Sequence, residues 1–298
     1  MKIAARILGR WRIAAFLLVA LLGIYGCTFM QNVGHKIGGP VEGFMNGMGE
    51  VHDARQLGDA DEDELGKAVA ILVTNRYAPS DDKKLIQYVN LVGYTLVSAS
   101  KNPDRHYVFG VLDTDDIGAY SGPNGYVMVT RGALRSMRDE AELAGVLAHE
   151  LTHVIDQHGL AAARTAAQKA GYMDATKAVL GASNATKFID SGVDAVVRNG
   201  YDKPQEDDAD AGAVQLMIAA GYDPHSYASY LAHLAALQEA APRPTTQTSE
   251  TSTMMKQIMS THPGIPDRLQ AVTKQIADAG ATANGGATMK GRFNGMVN

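Results

Sequence analysis

The residues with the clearest chemical potential form an H-E-x-x-H pattern at positions 149–153. The surrounding stretch Asp139–His158 contains no proline and a single glycine, and it therefore predicts a helix. Residues i and i+4 lie on one face of a helix, so His149 and His153 can direct their rings at one zinc ion. Glu150 lies one position round the helix, where it can act as a general base on a water activated by the metal.

A five-residue pattern also occurs by chance, and a histidine on an apolar helix face is more often a packed core residue than a ligand. A catalytic zinc site needs three protein ligands and one open position, so a third ligand must be found. Glu206 meets this requirement. It follows Asp202, which is typical of a helix N-cap, and Pro204 and Gln205 suit the first turn of that helix.

Asp210 lies four residues after Glu206 and therefore on the same helix face. We expect its carboxylate to accept the second ring N–H of a ligand histidine and so to fix the tautomer of that histidine. The alternative is a solvated acidic first turn favoured by the helix dipole. That alternative explains Asp207 and Asp208, but it explains Glu206 and Asp210 less well, since the neighbouring alanines indicate close packing.

A further histidine, His262, comes directly before Pro263, and Arg268 follows six residues after His262. The proline restricts the backbone of His262, so the ring can be presented from a fixed loop. His262 could then donate a hydrogen bond to a transition state, or it could close a resting site as a fourth zinc ligand. The alternative is an ordinary loop histidine before a helix.

Together these residues resemble the gluzincin zinc metallopeptidase family of the CAAX prenyl endopeptidases and HtpX, and most closely its soluble, periplasmic lipoprotein branch. The resemblance extends from about Glu62 to Leu269. Four motifs in order carry it: GAYSGPNGYVMVTRG at 118–132, EAELAGVLAHELTHV at 140–154, QEDDAD at 205–210, and THP at 261–263 with Arg268.

The resemblance implies a zincin-like domain that is mainly α with a small β-sheet (α+β), in which an edge strand lies over the metal held by the H-E-x-x-H helix. It also implies one Zn2+ per chain. Carried over to this chain, the zinc ligands are His149, His153 and Glu206, the base is Glu150, and the other cleft residues are His262 and Arg268. One departure is Gly118, where the family usually has Asn, and no role transfers onto Gly159–Asn199.

Two segments predict β-strands by their β-branched and aromatic content, namely Tyr107–Leu112 and Tyr126–Thr130. In zinc peptidases of this kind an edge strand pairs with an extended substrate, because main-chain hydrogen bonds make little demand on side chains. We expect the second segment to be that edge, and the alternative is an ordinary strand without a binding role. The expected substrate-contacting residues are Tyr126, Val127, Met128 and Val129.

The composition is that of a globular protein, with 298 residues, 46% hydrophobic and 20% charged, which suffices for one sizeable core. Aromatic residues make up only 6%, while alanine is abundant, so we expect a mostly helical core. The net charge is −5, and it becomes −9 without the four basic residues of positions 1–26. The sequence shows no basic patch interleaved with aromatic residues, so nucleic acid is not expected as a partner.

Residues 1–26 have the pattern of a signal peptide, with a basic start and the apolar run Ile13–Ile24. That run is shorter than the about 20 residues of a membrane span. Cys27, the single cysteine, follows at the position of a lipidated bacterial cysteine, although Tyr25 departs from the small residue usual there. We expect a lipid-anchored domain on the periplasmic side of the cell envelope. The alternative is an uncleaved anchor with an incidental cysteine.

The rest of the chain divides by composition. The Gly-rich residues 27–58 predict a flexible tether, residues 59–277 the peptidase domain, and the Gly/Ala/Asn-rich residues 278–298 a disordered tail. Gly159–Asn199 predicts one or two helices or a mobile flap, and Ala241–Thr253 a loop beside the cleft. Apolar residues at helical spacing predict further helices over Asp81–Ala99, Ala211–Ala220, Pro224–Ala240 and Ile265–Ala277.

The sequence thus predicts a zinc-dependent endopeptidase of the bacterial cell envelope that hydrolyses polypeptides. The resemblance suggests misfolded or misassembled envelope proteins as its substrates. Two alternatives stay open. The first is a chaperone-like or latent zinc lipoprotein whose site is closed by His262 as a fourth ligand. The second is a helical protein that binds no zinc.

Overall fold

The computed structural model describes residues 59–169, 192–193, 196–197, 200–240, 262, 264–280 and 286–297. The expected signal peptide, the lipidation site Cys27 and the tether lie outside these residues, as do the loop expected over 241–253 and much of Gly159–Asn199. Among the residues that the structure describes, no helix is long and apolar enough to cross a membrane.

Helices dominate the described chain and surround one small sheet, which confirms the expected α+β class. In chain order the elements are α1 Asp59–Arg76, α2 Lys83–Ala99, β1 Val108–Leu112, β2 Ala119–Gly122, β3 Tyr126–Thr130, α3 Arg131–Ser136, α4 Glu140–Ile155, α5 His158–Lys169, α6 Lys203–Ala219, α7 Pro224–Ala240, α8 Ile265–Asp278 and α9 Lys290–Val297.

Helix α4 carries the H-E-x-x-H pattern, and local sequence defines both of its ends. The side chain of Asp139 caps the start by accepting the N–H of Glu142 at 2.9 Å. The helix stops at Ile155 because Gln157 adopts a left-handed backbone with φ 56°, which cannot continue a right-handed helix. The expected helix through His158 is therefore two helices, with α5 beginning at that residue.

Helix α6 begins with the capping box that the sequence predicts. The Asp202 carboxylate accepts the N–H of Gln205 at 3.0 Å, and the Gln205 side chain accepts the N–H of Asp202 at 3.3 Å. The helix therefore starts at Lys203, so the acidic segment with Glu206 and Asp210 belongs to its first two turns.

The sheet corrects the expected edge strand. Its order is β1–β3–β2, with β1 parallel and β2 antiparallel to β3. Residues Tyr126–Thr130 are therefore the central strand, and both of their hydrogen-bonding edges are occupied. A continuous apolar run is typical of a strand buried on all sides, which is why β3 forms the centre. The edge strand nearest to α4 is β2, which was not among the strands predicted from the sequence.

Helix α4 is the centre of the core. Helices α2, α6 and α7 and strand β2 pack around it, and all but two of its sixteen residues are buried. Two glycines allow these helices to approach closely. A Cβ atom on Gly145 would lie 2.7 Å from the side chain of Tyr227 on α7, and one on Gly212 of α6 would lie 2.4 Å from Thr152.

The C-terminal residues are ordered where the structure describes them, so the expected tail disorder is wrong for residues 286–297. Helix α9 buries Phe293 completely beside Tyr88 of α2, with ring centroids 6.4 Å apart. Arg292 forms an ion pair with the buried carboxylate of Glu140 at the start of α4. Composition misled the prediction because a few anchoring side chains suffice to fix a segment rich in small residues.

Candidate metal centre

Four buried side chains from three places in the chain meet at one point. His149 and His153 come from α4, Glu206 from α6, and His262 from the residues before α8. One potential ligand atom from each lies within 4.8 Å of all the others. The convergence of the two helix histidines with the distant Glu206 is what the sequence predicted.

The spacing of these atoms fits a tetrahedral zinc site. Zn–N and Zn–O bonds of 2.0–2.1 Å require ligand atoms about 3.3–3.4 Å apart. His153 Nε2 lies 3.1 Å from His149 Nε2 and 3.4 Å from Glu206 Oε1. His262 Nδ1 lies 3.3 Å from His149 Nε2 and 2.9 Å from Glu206 Oε1. Nitrogen and carboxylate oxygen are the ligand atoms that zinc prefers.

Asp210 orients the first of these histidines. Its Oδ1 lies 2.9 Å from His149 Nδ1, so Nδ1 is the protonated nitrogen and the lone pair of Nε2 faces the centre. Asp210 is itself held by Tyr227, whose hydroxyl donates to Oδ1 at 2.7 Å. The sequence located Asp210 but not Tyr227, because nothing in the local pattern of α7 distinguishes a supporting tyrosine from a core one.

Two more residues that the sequence analysis missed support the second histidine. His153 Nδ1 lies 2.9 Å from His158 Nδ1 at the start of α5, which leaves Nε2 directed at the centre. The ring of Tyr201 stacks on that of His153, with centroids 3.9 Å apart and an interplanar angle of 16°. His158 could have been noticed as a third histidine directly after the motif helix, whereas Tyr201 gave no comparable signal.

Glu150 lies beside the cluster without belonging to it. Its side chain is buried, Oε1 lies 3.3 Å from His262 Nε2, and Oε2 has no hydrogen-bond partner among the described residues. Burial raises the pKa of Glu150, but the charge and hydrogen bond of His262 outweigh burial and lower the pKa to about 2. The free Oε2 leaves room for a proton, whereas the adjacent charge of His262 weakens the carboxylate as a base while the ring stays there.

The electrostatics of the centre favour a cation. Burial lowers the pKa of His153 to about 3, so its imidazole is neutral, as a metal ligand must be. Burial acts against ionisation of Glu206, but His262 and His153 hold the pKa of Glu206 well below its usual range. Burial likewise opposes charge on His262, yet the carboxylates of Glu206 and Glu150 raise its pKa to about 10.

Arg268 lies behind the ligands. Its Nε donates to Asp210 Oδ2 at 2.9 Å, its Nη2 donates to Asp210 Oδ1 at 2.7 Å, and its Nη1 lies 2.9 Å from Glu206 Oε2. The family resemblance implied that Arg268 lines the cleft, and Arg268 does line a cavity beside the centre. The structure commits most of its donors to the two carboxylates that flank the metal position.

An apolar cavity opens beside the centre. His149, Glu150, His262 and Arg268 lie at its polar end, and Gly118 and Ala119 next to β2 form one wall. Its remaining wall is apolar and comes from α3, α4, α7 and α8, through Ala133, Val146, Tyr227, Tyr230, Leu231, Leu234 and Ile265. None of the four residues expected to contact substrate, Tyr126, Val127, Met128 and Val129, lines this cavity.

Strand β2 is an outer strand of the sheet, its four residues are buried, and no further strand pairs with it among the described residues. Thr130 N–H donates to Gly118 O at 3.0 Å, and Gly118 N–H donates to Thr130 Oγ1 at 3.0 Å. Hydrogen-bonded and non-hydrogen-bonded pairs alternate along an antiparallel ladder. The backbone groups of Ala119 and Ser121 therefore point away from β3, toward the unpaired edge.

Several known proteins are similar to this chain in sequence. The beta-barrel assembly-enhancing protease of Escherichia coli K12 is 27% identical over 213 residues, which cover 68% of this chain and 40% of the relative. The putative beta-barrel assembly-enhancing protease of Vibrio cholerae is 26% identical over 190 residues, 60% of this chain and 39% of that protein. The mitochondrial metalloendopeptidase OMA1 of Bos taurus is 38% identical over 53 residues, 18% of this chain.

These alignments span only 40% of the first relative's own length. A family model matches residues 83–276 of this chain. All four motifs singled out in the sequence, from Gly118 to Arg268, fall within it. Because that region is more than half of the chain, the family resemblance is confirmed, and the protein belongs to peptidase family M48.

Proposed function

We propose that this protein is a zinc-dependent endopeptidase of the cell envelope. The observation that carries the proposal is the tetrahedral spacing of ligand atoms from His149, His153 and Glu206, with the buried carboxylate of Glu150 beside them. Three ligands and a neighbouring base are the composition of a hydrolytic zinc site. A zinc-free helical core would not require four buried polar side chains from three separate parts of the chain to converge on one point.

The zinc ion, when bound by these residues, supplies a Lewis acid that polarises the scissile carbonyl and activates water. Glu150 takes the proton of the attacking water on its free Oε2 and returns that proton to the leaving amine. Asp210 keeps His149 in the tautomer that presents Nε2. Arg268 is a positioning residue, because it holds the Asp210 and Glu206 carboxylates in place.

The substrate binds as an extended strand along the free edge of β2. The outward backbone groups of Ala119 and Ser121 form main-chain hydrogen bonds with it, which suits many sequences. Ala119 lies in the wall of the apolar cavity that also contains Glu150, so a strand paired there passes the reacting groups. This role replaces the one first expected for Tyr126–Thr130.

The biological substrates are misfolded or misassembled envelope proteins, and the protein is held by a lipid on Cys27 at the periplasmic side. Support comes from the lipobox-like sequence before Cys27 and from relatives that are named beta-barrel assembly-enhancing proteases. No nucleic acid is involved, in keeping with the net charge of −5.

A second function is favoured by the position of His262. Its Nδ1 is at ligand distance from Glu206 and His149, and its Nε2 lies 3.3 Å from Glu150 Oε1. Once a bound metal displaces its proton, a ring in this place can act as a fourth ligand, and it also lies against the proposed base Glu150. Four protein ligands define a closed zinc site, so the second candidate function is that of a latent zinc protein, in which His262 would have to withdraw before catalysis.

The test compares casein cleavage by the wild type, Glu150→Gln and Glu239→Gln at equal zinc occupancy. Glu239 is exposed on α7, which makes it a matched change far from the centre. We expect Glu150→Gln to lower kcat by about 10²–10⁴-fold and Glu239→Gln to leave it unchanged. Equal rates for all three proteins would remove the peptidase proposal and leave the zinc-binding one.

A further inference from the structure

The C-terminal segment 286–297 contacts the two helices that carry the candidate zinc ligands, at the ends remote from the metal. Thr288 O accepts the N–H groups of Glu140 and Ala141, at 3.1 and 3.3 Å, in the first turn of α4. These are donors that a helix start otherwise leaves without a backbone partner. The segment thus extends the hydrogen-bonding of the helix that bears His149 and His153.

The same segment is bonded to the turn that ends α6. Ala287 pairs with Tyr222 in a parallel β-bridge, in which Ala287 N–H donates to Gly221 O at 2.9 Å and Asp223 N–H donates to Ala287 O at 3.3 Å. Gly286 makes this approach possible, because a Cβ atom there would lie 2.3 Å from Asp223 N. The helix that bears Glu206 is therefore joined to the helix that bears the histidines.

Glu140 is the point where these contacts meet. Its fully buried carboxylate accepts hydrogen bonds from Tyr88 of α2 at 2.8 Å and from Tyr222 after α6 at 2.8 Å. Arg292 adds two donors, with Nε 2.6 Å from Oε2 and Nη2 on Oε1. Among the described residues, Arg292 is the only cationic side chain that forms an ion pair with Glu140. The next residue, Phe293, is buried against Tyr88.

We propose that Arg292 and the C-terminal segment 286–297 position the zinc site, by fixing α4 against α6 through the buried carboxylate of Glu140. Arg292 reaches neither zinc nor substrate, so it acts through Glu140 alone. This inference rests on the zinc site of the proposed function, and its primary test measures zinc affinity rather than cleavage.

The first experiment measures the zinc dissociation constant of the full-length chain by chelator competition. We expect Arg292→Ala to weaken zinc binding by about 2- to 30-fold, and Arg292→Lys, which keeps the charge, to recover part of that loss. Lys274→Ala is the control, since Lys274 forms an exposed ion pair with Asp278 on α8. If Arg292→Ala melts at a lower temperature but binds zinc as tightly as the wild type, the proposal is contradicted. The segment would then stabilise the fold in general without positioning the zinc site.

A double-mutant cycle tests whether Arg292 affects the zinc site through Glu140. If Arg292 acts through Glu140, then Arg292→Ala changes zinc affinity less in a Glu140→Gln background than in the wild type. Equal effects in both backgrounds would contradict the proposal. On peptide substrate, the single variant is expected to lower kcat at subsaturating zinc while KM stays within about twofold, because β2 is untouched.

A second measurement needs no variant and stays informative if Arg292→Ala fails to fold. Coupling between two sites is reciprocal, so zinc binding must stabilise the segment if the segment favours zinc binding. We expect amide exchange at Ala287, Glu140 and Ala141 of the wild type to slow when zinc is added. Unchanged exchange at these amides, in protein shown to bind zinc, overturns the inference, whereas absence of zinc binding overturns the proposed function itself.

Discussion

Glu206 and Asp207 are consecutive residues of α6, yet Glu206 is 1% exposed at the metal centre and the Asp207 side chain is 40% exposed in an ion pair with Lys203. One turn of this helix therefore contains a candidate zinc ligand, Glu206, and a solvent-exposed acid of nearly the same chemistry, Asp207. The pair offers a matched comparison for the metal site.

We expect Glu206→Ala to lose its zinc on dialysis and Asp207→Ala to retain about one zinc per chain. The reason is that only Glu206 contributes an oxygen to the ligand set. Metal analysis of the purified proteins gives the result. Retention of zinc by both variants would show that the ion is held elsewhere.

Removal of His262 tests whether the described site is closed. We expect His262→Ala to keep zinc through the three other ligands and to cleave peptides faster than the wild type, because the ring no longer covers Glu150. The visible spectrum of the Co2+-substituted protein should shift as one nitrogen ligand is exchanged. A large fall in kcat with an unchanged spectrum would instead assign His262 to transition-state stabilisation.

The free edge of β2 can be tested by removing one backbone donor. Ala119→Pro deletes the outward N–H, while Ala119→Gly keeps it and loses only a methyl group. One hydrogen bond contributes about 0.5–1.5 kcal/mol, so we expect kcat/KM for the proline variant to fall by about 2- to 12-fold relative to the glycine variant. Equal kcat/KM values, at equal zinc content and melting temperature, would place the substrate on another surface.

Glu140 should make the fold sensitive to acid. Burial raises the pKa of Glu140, but hydrogen bonds from Arg292, Tyr88 and Tyr222 outweigh burial and hold its pKa below the ordinary value of 4.5. The folded protein then binds fewer protons than the unfolded chain, so this stabilisation is present above pH 4.5 and is lost as pH falls through the lowered pKa.

Urea unfolding at several pH values measures that contribution. At neutral pH we expect Glu140→Gln to reduce the free energy of unfolding by about 1.5–3 kcal/mol, the range for hydrogen bonds to a charged group. The difference from the wild type should shrink below pH 4.5, whereas Glu239→Gln should follow the wild type throughout. A difference that does not change with pH would rule out ionised Glu140 as its source.

Much of the candidate site was predictable because its ligands follow short-range rules. The i, i+4 spacing of His149 and His153 and the capping box at Asp202 are local, and they place three ligands before any tertiary contact is known. Supporting residues such as Tyr201 and Tyr227 were missed because their roles depend on which helices meet, and one sequence does not encode that in a recognisable pattern.

The wrong predictions of the edge strand and of the disordered tail also have physical causes. Alternation and apolar content locate a strand such as Tyr126–Thr130, but they do not reveal which strands lie on either side of it. Strand β2 has only four residues and ends in Ser121 and Gly122, so it resembles a turn. In the C-terminal segment, the glycines favour disorder, but Arg292 and Phe293 fix the backbone because both side chains contact buried partners.

Gly145 and Gly212 have a consequence for the dimensions of the site. The distance between the imidazoles on α4 and the carboxylate on α6 depends on how near the two helix axes come, and Gly212 permits the contact with Thr152 that sets it. Gly145 does the same for α7, which brings Tyr227 to Asp210. A methyl group added at Gly212 would clash with Thr152 and one added at Gly145 would clash with Tyr227, so either substitution would require the helices around the candidate site to move apart.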